Sequence, residues 1–97
     1  MVNAVVLIQC EIDLVAEAAE QIAGIDGVSE VYSVAGEWDL VAIIRVTEHE
    51  DLARVIPGGV GKVEGVERTE TLIAFQVYSK HDLEALFSLG FDEGAGI

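Results

Sequence analysis

The chain has 97 residues, 52% of them apolar, and sets 18 acidic side chains against 5 basic ones for a formal charge of −13. That length holds one domain, residues 1–97, and the composition is far too apolar for a disordered acidic tail. No Lys or Arg precedes Arg45, while eight acids run from Glu11 to Asp39, so no basic patch forms and neither nucleic acid nor an anionic membrane is a direct partner.

The first strand is expected over Asn3 to Cys10, whose apolar run is far short of the roughly 20 residues that span a bilayer. Asp13 then stands where it can N-cap a helix with Leu14, Ala18 and Ile22 recurring at i, i+4 and i+8. Glu17, Glu20 and Gln21 face water, and Gly24 is placed to end the helix. Asp26-Gly27 supplies turn chemistry before a second strand, Val28 to Ala35. Gly36-Glu37-Trp38 makes a short, hairpin-like link to a third strand, Asp39 to Val46. Thr47-Glu48-His49-Glu50 carries a capping-box pattern for a second helix, with Leu52, Val55 and Ile56 as its apolar stripe. Pro57-Gly58-Gly59 should break or shorten that helix, because proline removes a hydrogen bond and paired glycines loosen the backbone. A fourth strand runs from about Glu67 to Tyr78. Ser79 caps a short final helix, Lys80 to Ser88, and Leu89 to Ile97 reads as a flexible tail rich in Gly and acids.

The chain also repeats itself at an offset of 38 residues. Ala4-Val5-Val6 returns as Ala42-Ile43-Ile44, Asp13-Leu14 as Asp51-Leu52, and Ile25-Asp26-Gly27-Val28 as Val63-Glu64-Gly65-Val66. A long period present twice marks a repeated supersecondary unit, not a solenoid. Strand-helix-strand twice over is βαββαβ, the ferredoxin-like α+β fold with an antiparallel four-stranded sheet and a short C-terminal helix.

Right-handed crossovers put both helices on one side of such a sheet. The other side should then alternate to polar residues, and it does not. Leu40, Ala42, Ile44 and Val46 oppose Val41 and Ile43; Val5 and Leu7 oppose Ala4, Val6 and Ile8; Ile73, Phe75 and Val77 oppose Leu72, Ala74 and Tyr78. Both faces are apolar, and a bare one would expose several hundred Å². Packing of a second copy on it, as a twofold dimeric α/β barrel, is the expected solution. Cover by the final helix, only about three turns long, is the alternative.

Gly36-Glu37-Trp38-Asp39 is the most unusual cluster, with the chain's one tryptophan beside two carboxylates. It reads as a small-molecule site, with Trp38 as a wall and Asp39 pairing with a cation such as an α-ammonium. Taken alone it more often reads as an ordinary turn, with Gly providing φ > 0 and Trp covering core. Thr69-Glu70-Thr71 puts two hydroxyls on one face of the fourth strand, beside Arg68, where they could bind a carboxylate or simply fill strand positions. Cys10 is single, so it forms no internal disulfide and a cytosolic setting is the default. It stands among acids, which reads as an inert thiol. His49 and His81 have no visible nucleophile partner, one Cys and two His make no zinc spacing, and Gly58-Gly59-Val60-Gly61-Lys62 is not a phosphate loop. No cofactor is implied.

Val31-Tyr32-Ser33-Val34, Gly36-Glu37-Trp38-Asp39-Leu40 and Gly65-Val66-Glu67-Arg68-Thr69-Glu70-Thr71-Leu72 resemble the effector domain of the Lrp/AsnC family, also called the RAM domain. Tyr78 to Glu84 resembles the ending of its stand-alone versions, and the family's helix-turn-helix DNA-binding domain has no counterpart in these 97 residues. The resemblance covers essentially the whole chain. It implies a cytoplasmic, non-enzymatic oligomer: sheet-to-sheet homodimers joined into rings, binding a small effector, usually an amino acid, near the interfaces. It also implies regulation of transcription by co-assembly with full-length DNA-binding relatives. Carried over by residue, Gly36, Trp38 and Asp39 form the loop side of the pocket, with Asp39 on the ammonium. Thr69 and Thr71 form the strand side and hold the carboxylate. Pro57-Gly58-Gly59 departs from the family's longer second helix. A small dimeric α/β-barrel enzyme of monooxygenase or isomerase type, or an assembly partner without ligand, remain the other readings of this fold.

Overall fold

The computed structural model describes residues 1–80. Four strands, β1 (Val2–Cys10), β2 (Val28–Ser33), β3 (Leu40–Val46) and β4 (Val66–Ile73), form one antiparallel sheet in the order β2-β3-β1-β4. Helices α1 (Val15–Ala23) and α2 (Asp51–Val55) complete the ferredoxin-like α+β fold. The expected tail, 89–97, and all but the first residue of the expected final helix lie outside the described residues.

The core follows from the alternation of the two central strands. Ala4, Val6, Ile8 and Cys10 of β1 and Leu40, Ala42, Ile44 and Val46 of β3 are all buried. Ala18 and Ile22 of α1, with Leu52 and Val55 of α2, pack onto that side. Ile8, Ile22, Leu40 and Ile44 are fully buried, and each such side chain contributes on the order of 1.5–3 kcal/mol relative to exposure. Val5, Leu7, Val41 and Ile43 take the opposite face, where β2 adds Tyr32 and β4 adds Leu72, each 49% exposed. Among the described residues no helix crosses that face, so within residues 1–80 the sheet is apolar on both sides and covered on one.

The repeat is structural. Val28 N–H donates to the Ile25 carbonyl and Val66 N–H to the Val63 carbonyl, closing equivalent turns. Gly27 and Gly65 take φ of +107° and +98° in them, a conformation that glycine alone adopts freely. Both also permit a close approach. A Cβ on Gly27 would lie 2.7 Å from Val55 of α2, and one on Gly65 would lie 2.8 Å from Leu14, beside α1. Each unit's glycine turn is thus packed against the other unit's helical layer.

Three local expectations are corrected and a fourth is met. Asp13 does not cap α1: Ile12–Leu14 form a 3₁₀ turn, and the helix starts after Leu14 without a side-chain cap. The capping pattern at Thr47 is displaced by one residue, because Asp51 Oδ2 accepts the Glu48 N–H at 3.0 Å. The second helix is only Asp51–Val55, followed by a 3₁₀ turn at Val60–Lys62. This is the interruption expected of Pro57-Gly58-Gly59, and it is tight: Cβ atoms on Gly58 and Gly59 would sit 2.7 and 2.6 Å from the Arg54 and Val55 carbonyl oxygens. Finally, β4 stops at Ile73 and not at Tyr78. Its partner is close to its own end there, since Ala4 pairs with Ile73, Asn3 receives the Ala74 N–H, and β1 begins at Val2. Phe75, Val77 and Tyr78 consequently lie exposed, Phe75 almost completely so.

Candidate functional site

At one end of the sheet the link between β2 and β3 bends across the ends of β1 and β4. Gly36 turns it with φ of +129° and open space around its α-carbon. Three polar contacts then hold Glu37, Trp38 and Asp39. Gln9 Nε2 donates to the Glu37 carbonyl at 2.9 Å. The Arg68 guanidinium lies over the Trp38 ring, 4.8 Å from its centroid, a cation–π stack. Asp39 Oδ2 accepts the Cys10 backbone N–H at 2.8 Å.

The last bond has a cause in the sheet. Gln9 pairs with Arg68 but Cys10 pairs with Val66, so Glu67 is an extra residue on β4, a β-bulge. The bulge disrupts the ladder at Cys10, and the Asp39 carboxylate receives its N–H. One carboxylate oxygen of Asp39 is thereby fixed in place. The other accepts no hydrogen bond from the described residues and stays available. The setting is acidic: burial, then the Asp39 and Glu67 carboxylates, push the Cys10 thiol up from its usual value near 9. Cys10 is 7% exposed. A buried thiol held toward its protonated form in an anionic corner is a poor nucleophile, in line with its sequence setting.

Thr69 and Thr71 lie elsewhere. Thr69 pairs with Ile8 and Thr71 with Val6, so both share the helix-side face of the sheet with the core residues of β1. Gln9, Arg68 and the flanking Glu70 share the opposite parity with Leu7. Thr71 lines an apolar groove of about 340 Å³ between β4 and α2, with Ile73, Leu52, Ala53, Ile56 and Pro57 among its walls. None of the described cavities is lined by both threonines and the Trp38 loop. The five expected site residues are therefore divided: Gly36, Trp38 and Asp39 stand together, while Thr69 and Thr71 stand on the other side of the strand. Gln9 and Arg68 join the loop instead. Their signal in the sequence is faint, two polar side chains in strands of mainly apolar or β-branched residues.

A family model described as the Lrp/AsnC ligand binding domain matches residues 3–83. The chain is 46% identical to TTHA0845 from Thermus thermophilus, whose crystal structure superposes with a TM-score of 0.78 over 82% of this chain and 100% of that one. A feast or famine regulatory protein of M. tuberculosis, Rv3291c, solved in complex with L-methionine, is 28% identical with a TM-score of 0.66, over 82% of this chain and 54% of that one. PH1916 of Pyrococcus horikoshii, an uncharacterized HTH-type transcriptional regulator, is 44% identical over 59 residues. Those residues are 61% of this chain and 39% of that regulator, so the chain spans well under half of the relative's length.

Proposed function

The chain belongs to the Lrp/AsnC ligand-binding domain family, and from that premise we propose that it is a cytoplasmic, non-enzymatic sensor of a free amino acid. The observation that carries the reading is the Trp38-Asp39 loop. An indole wall and a carboxylate with one oxygen pinned and the other open are a receptor for an α-ammonium group. The acidic surroundings favour a cation there, and the complex of Rv3291c with L-methionine supports an amino acid as the class. Thr69 and Thr71, on the helix-side face, enter such a site only where a second copy brings its own strand to the loop.

Oligomerisation follows from the uncovered face. Val5, Leu7, Val41, Ile43, Tyr32 and Leu72 make an apolar surface of the kind a monomer rarely leaves bare. A twofold copy packed sheet to sheet covers it, and further association of dimers gives a ring. Regulation then passes through co-assembly with DNA-binding relatives of the HTH type, since a chain with 5 basic residues and a net charge of −13 is repelled by phosphates.

The test is a thermal-shift screen of the twenty L-amino acids, confirmed by calorimetry. An amino acid at 100 times its Kd stabilises the folded state by about 2.7 kcal/mol, roughly an 11–22 °C rise in Tm for a domain of this size. Stabilisation by one or a few amino acids is expected. No response to any of them overturns the sensing role.

A further inference from the structure

We infer that Arg68 is the receptor for the amino acid's carboxylate, an assignment that rests on the sensing role proposed above and takes the carboxylate away from Thr69 and Thr71. The argument begins with parity. Arg68 pairs with Gln9, and both reach the link between β2 and β3, Gln9 at the Glu37 carbonyl and Arg68 at the Trp38 ring. Thr69 and Thr71 alternate to the other face, beside Ile8 and Val6. A ligand whose ammonium rests on Asp39 and whose body rests on Trp38 therefore has Arg68 on its side of the sheet, within the same chain.

The chemistry agrees with the placement. The chain has 5 basic residues. Arg45 donates to the Ser29 hydroxyl and Arg54 to the Asp26 carbonyl. Arg68 instead lies over an indole face, and among the described residues no carboxylate comes within ion-pairing distance of it. Stacking orients a guanidinium without using its N–H groups, which lie in the guanidinium plane and point outward from its edge. That edge is the donor fork that matches a carboxylate in bidentate geometry. Arg68 and Asp39, opposite charges flanking one aromatic wall, complement the zwitterion of an α-amino acid: carboxylate to Arg68, ammonium to Asp39. The acidic end of a −13 chain would otherwise repel the anionic half of such a ligand, and Arg68 offsets that repulsion.

The measurement uses Trp38, the single tryptophan, as reporter. Each of the twenty L-amino acids is titrated into the wild-type chain by fluorescence and calorimetry. Any that bind are compared with their α-carboxamides, which keep the side chain and ammonium but lack the carboxylate. The wild type is expected to prefer the acid over the amide by roughly tenfold or more. Arg68→Gln should lose that preference, with amide affinity little changed, and Arg68→Lys, which keeps the charge but not the fork, should keep part of it. Circular dichroism confirms that the variants are folded, as expected for an exposed side chain. If Arg68→Gln weakens acid and amide equally, Arg68 merely staples the loop and the assignment falls. It also falls if Arg68→Gln retains the preference, or if Thr69→Val with Thr71→Val abolishes it. Binding of no amino acid to the wild type overturns the sensing role and this assignment with it, so the two failures are distinct.

Discussion

Replacing Asp39 separates the loop contact it makes from the ligand contact proposed for it. The bulge at Glu67 leaves the Cys10 N–H to a single acceptor, Asp39 Oδ2 at 2.8 Å, in a half-buried setting. A hydrogen bond to a charged acceptor contributes about 1.5–3 kcal/mol, and partial exposure discounts this one to about 1–2 kcal/mol. One kcal/mol moves Tm by roughly 4–8 °C in a domain of this size. Asp39→Ala should therefore lower Tm by about 4–16 °C. Asp39→Asn keeps a carbonyl oxygen at the same position and should lose less than half as much. Binding sorts the variants differently, because both lack the charge for an ammonium and both should lose most amino-acid affinity. Thermal melts and calorimetry on the three proteins measure the two effects. An Asp39→Ala protein with wild-type Tm refutes the role of the Cys10 bond. An Asp39→Asn protein with wild-type affinity refutes the ammonium site.

Further outcomes follow from the same structure. Gly27→Ala meets both a positive φ, at about 1–2 kcal/mol, and a Cβ 2.7 Å from Val55, at about 1–3 kcal/mol of overpacking. Gly36→Ala meets only a positive φ, with nothing within 4 Å. Urea denaturation should accordingly show a clearly larger loss at Gly27 than at Gly36, and equal losses would contradict the packing account. Ile43→Glu puts a charge in the middle of the uncovered sheet face while sparing the helix-side core. Light scattering should show the wild type as dimer or larger and the variant as monomer; an unchanged mass would mean that this face is not the interface. Cys10 should alkylate more slowly than a free thiol at neutral pH. Its thiol is held protonated by burial and by Asp39 and Glu67, so the rate should climb only above pH 9. The same upward shift removes stability as pH rises past 9, because the unfolded thiol ionises first. Fast labelling at pH 7 would contradict the burial of this side chain.

Much of this architecture is legible in the residues alone, and the reasons are local. Alternation of apolar side chains names β1 and β3 nearly to the residue, and the same alternation sorts Ala4, Val6 and Ile8 from Val5 and Leu7. The 38-residue repeat and its two Asp/Glu-Gly turns carry the βαββαβ order, because glycine at positive φ is a property of a single position. Proline and two glycines end α2 by steric and hydrogen-bonding rules that need no distant partner. The candidate site is legible only in part for the opposite reason. Period two says that Thr69 and Thr71 share a face, but which face is set by pairing with β1, more than 60 residues away in the chain. The Glu67 bulge, the Asp39 bond to Cys10 and the Arg68–Trp38 stack arise from that same long-range register. So does the end of β4 at Ile73, opposite Ala4 near the start of β1. Composition and spacing were enough for an acidic sheet domain with apolar residues on both faces. Which charged groups meet across that sheet was decided by strand register, a cooperative property of the folded chain that no local window contains.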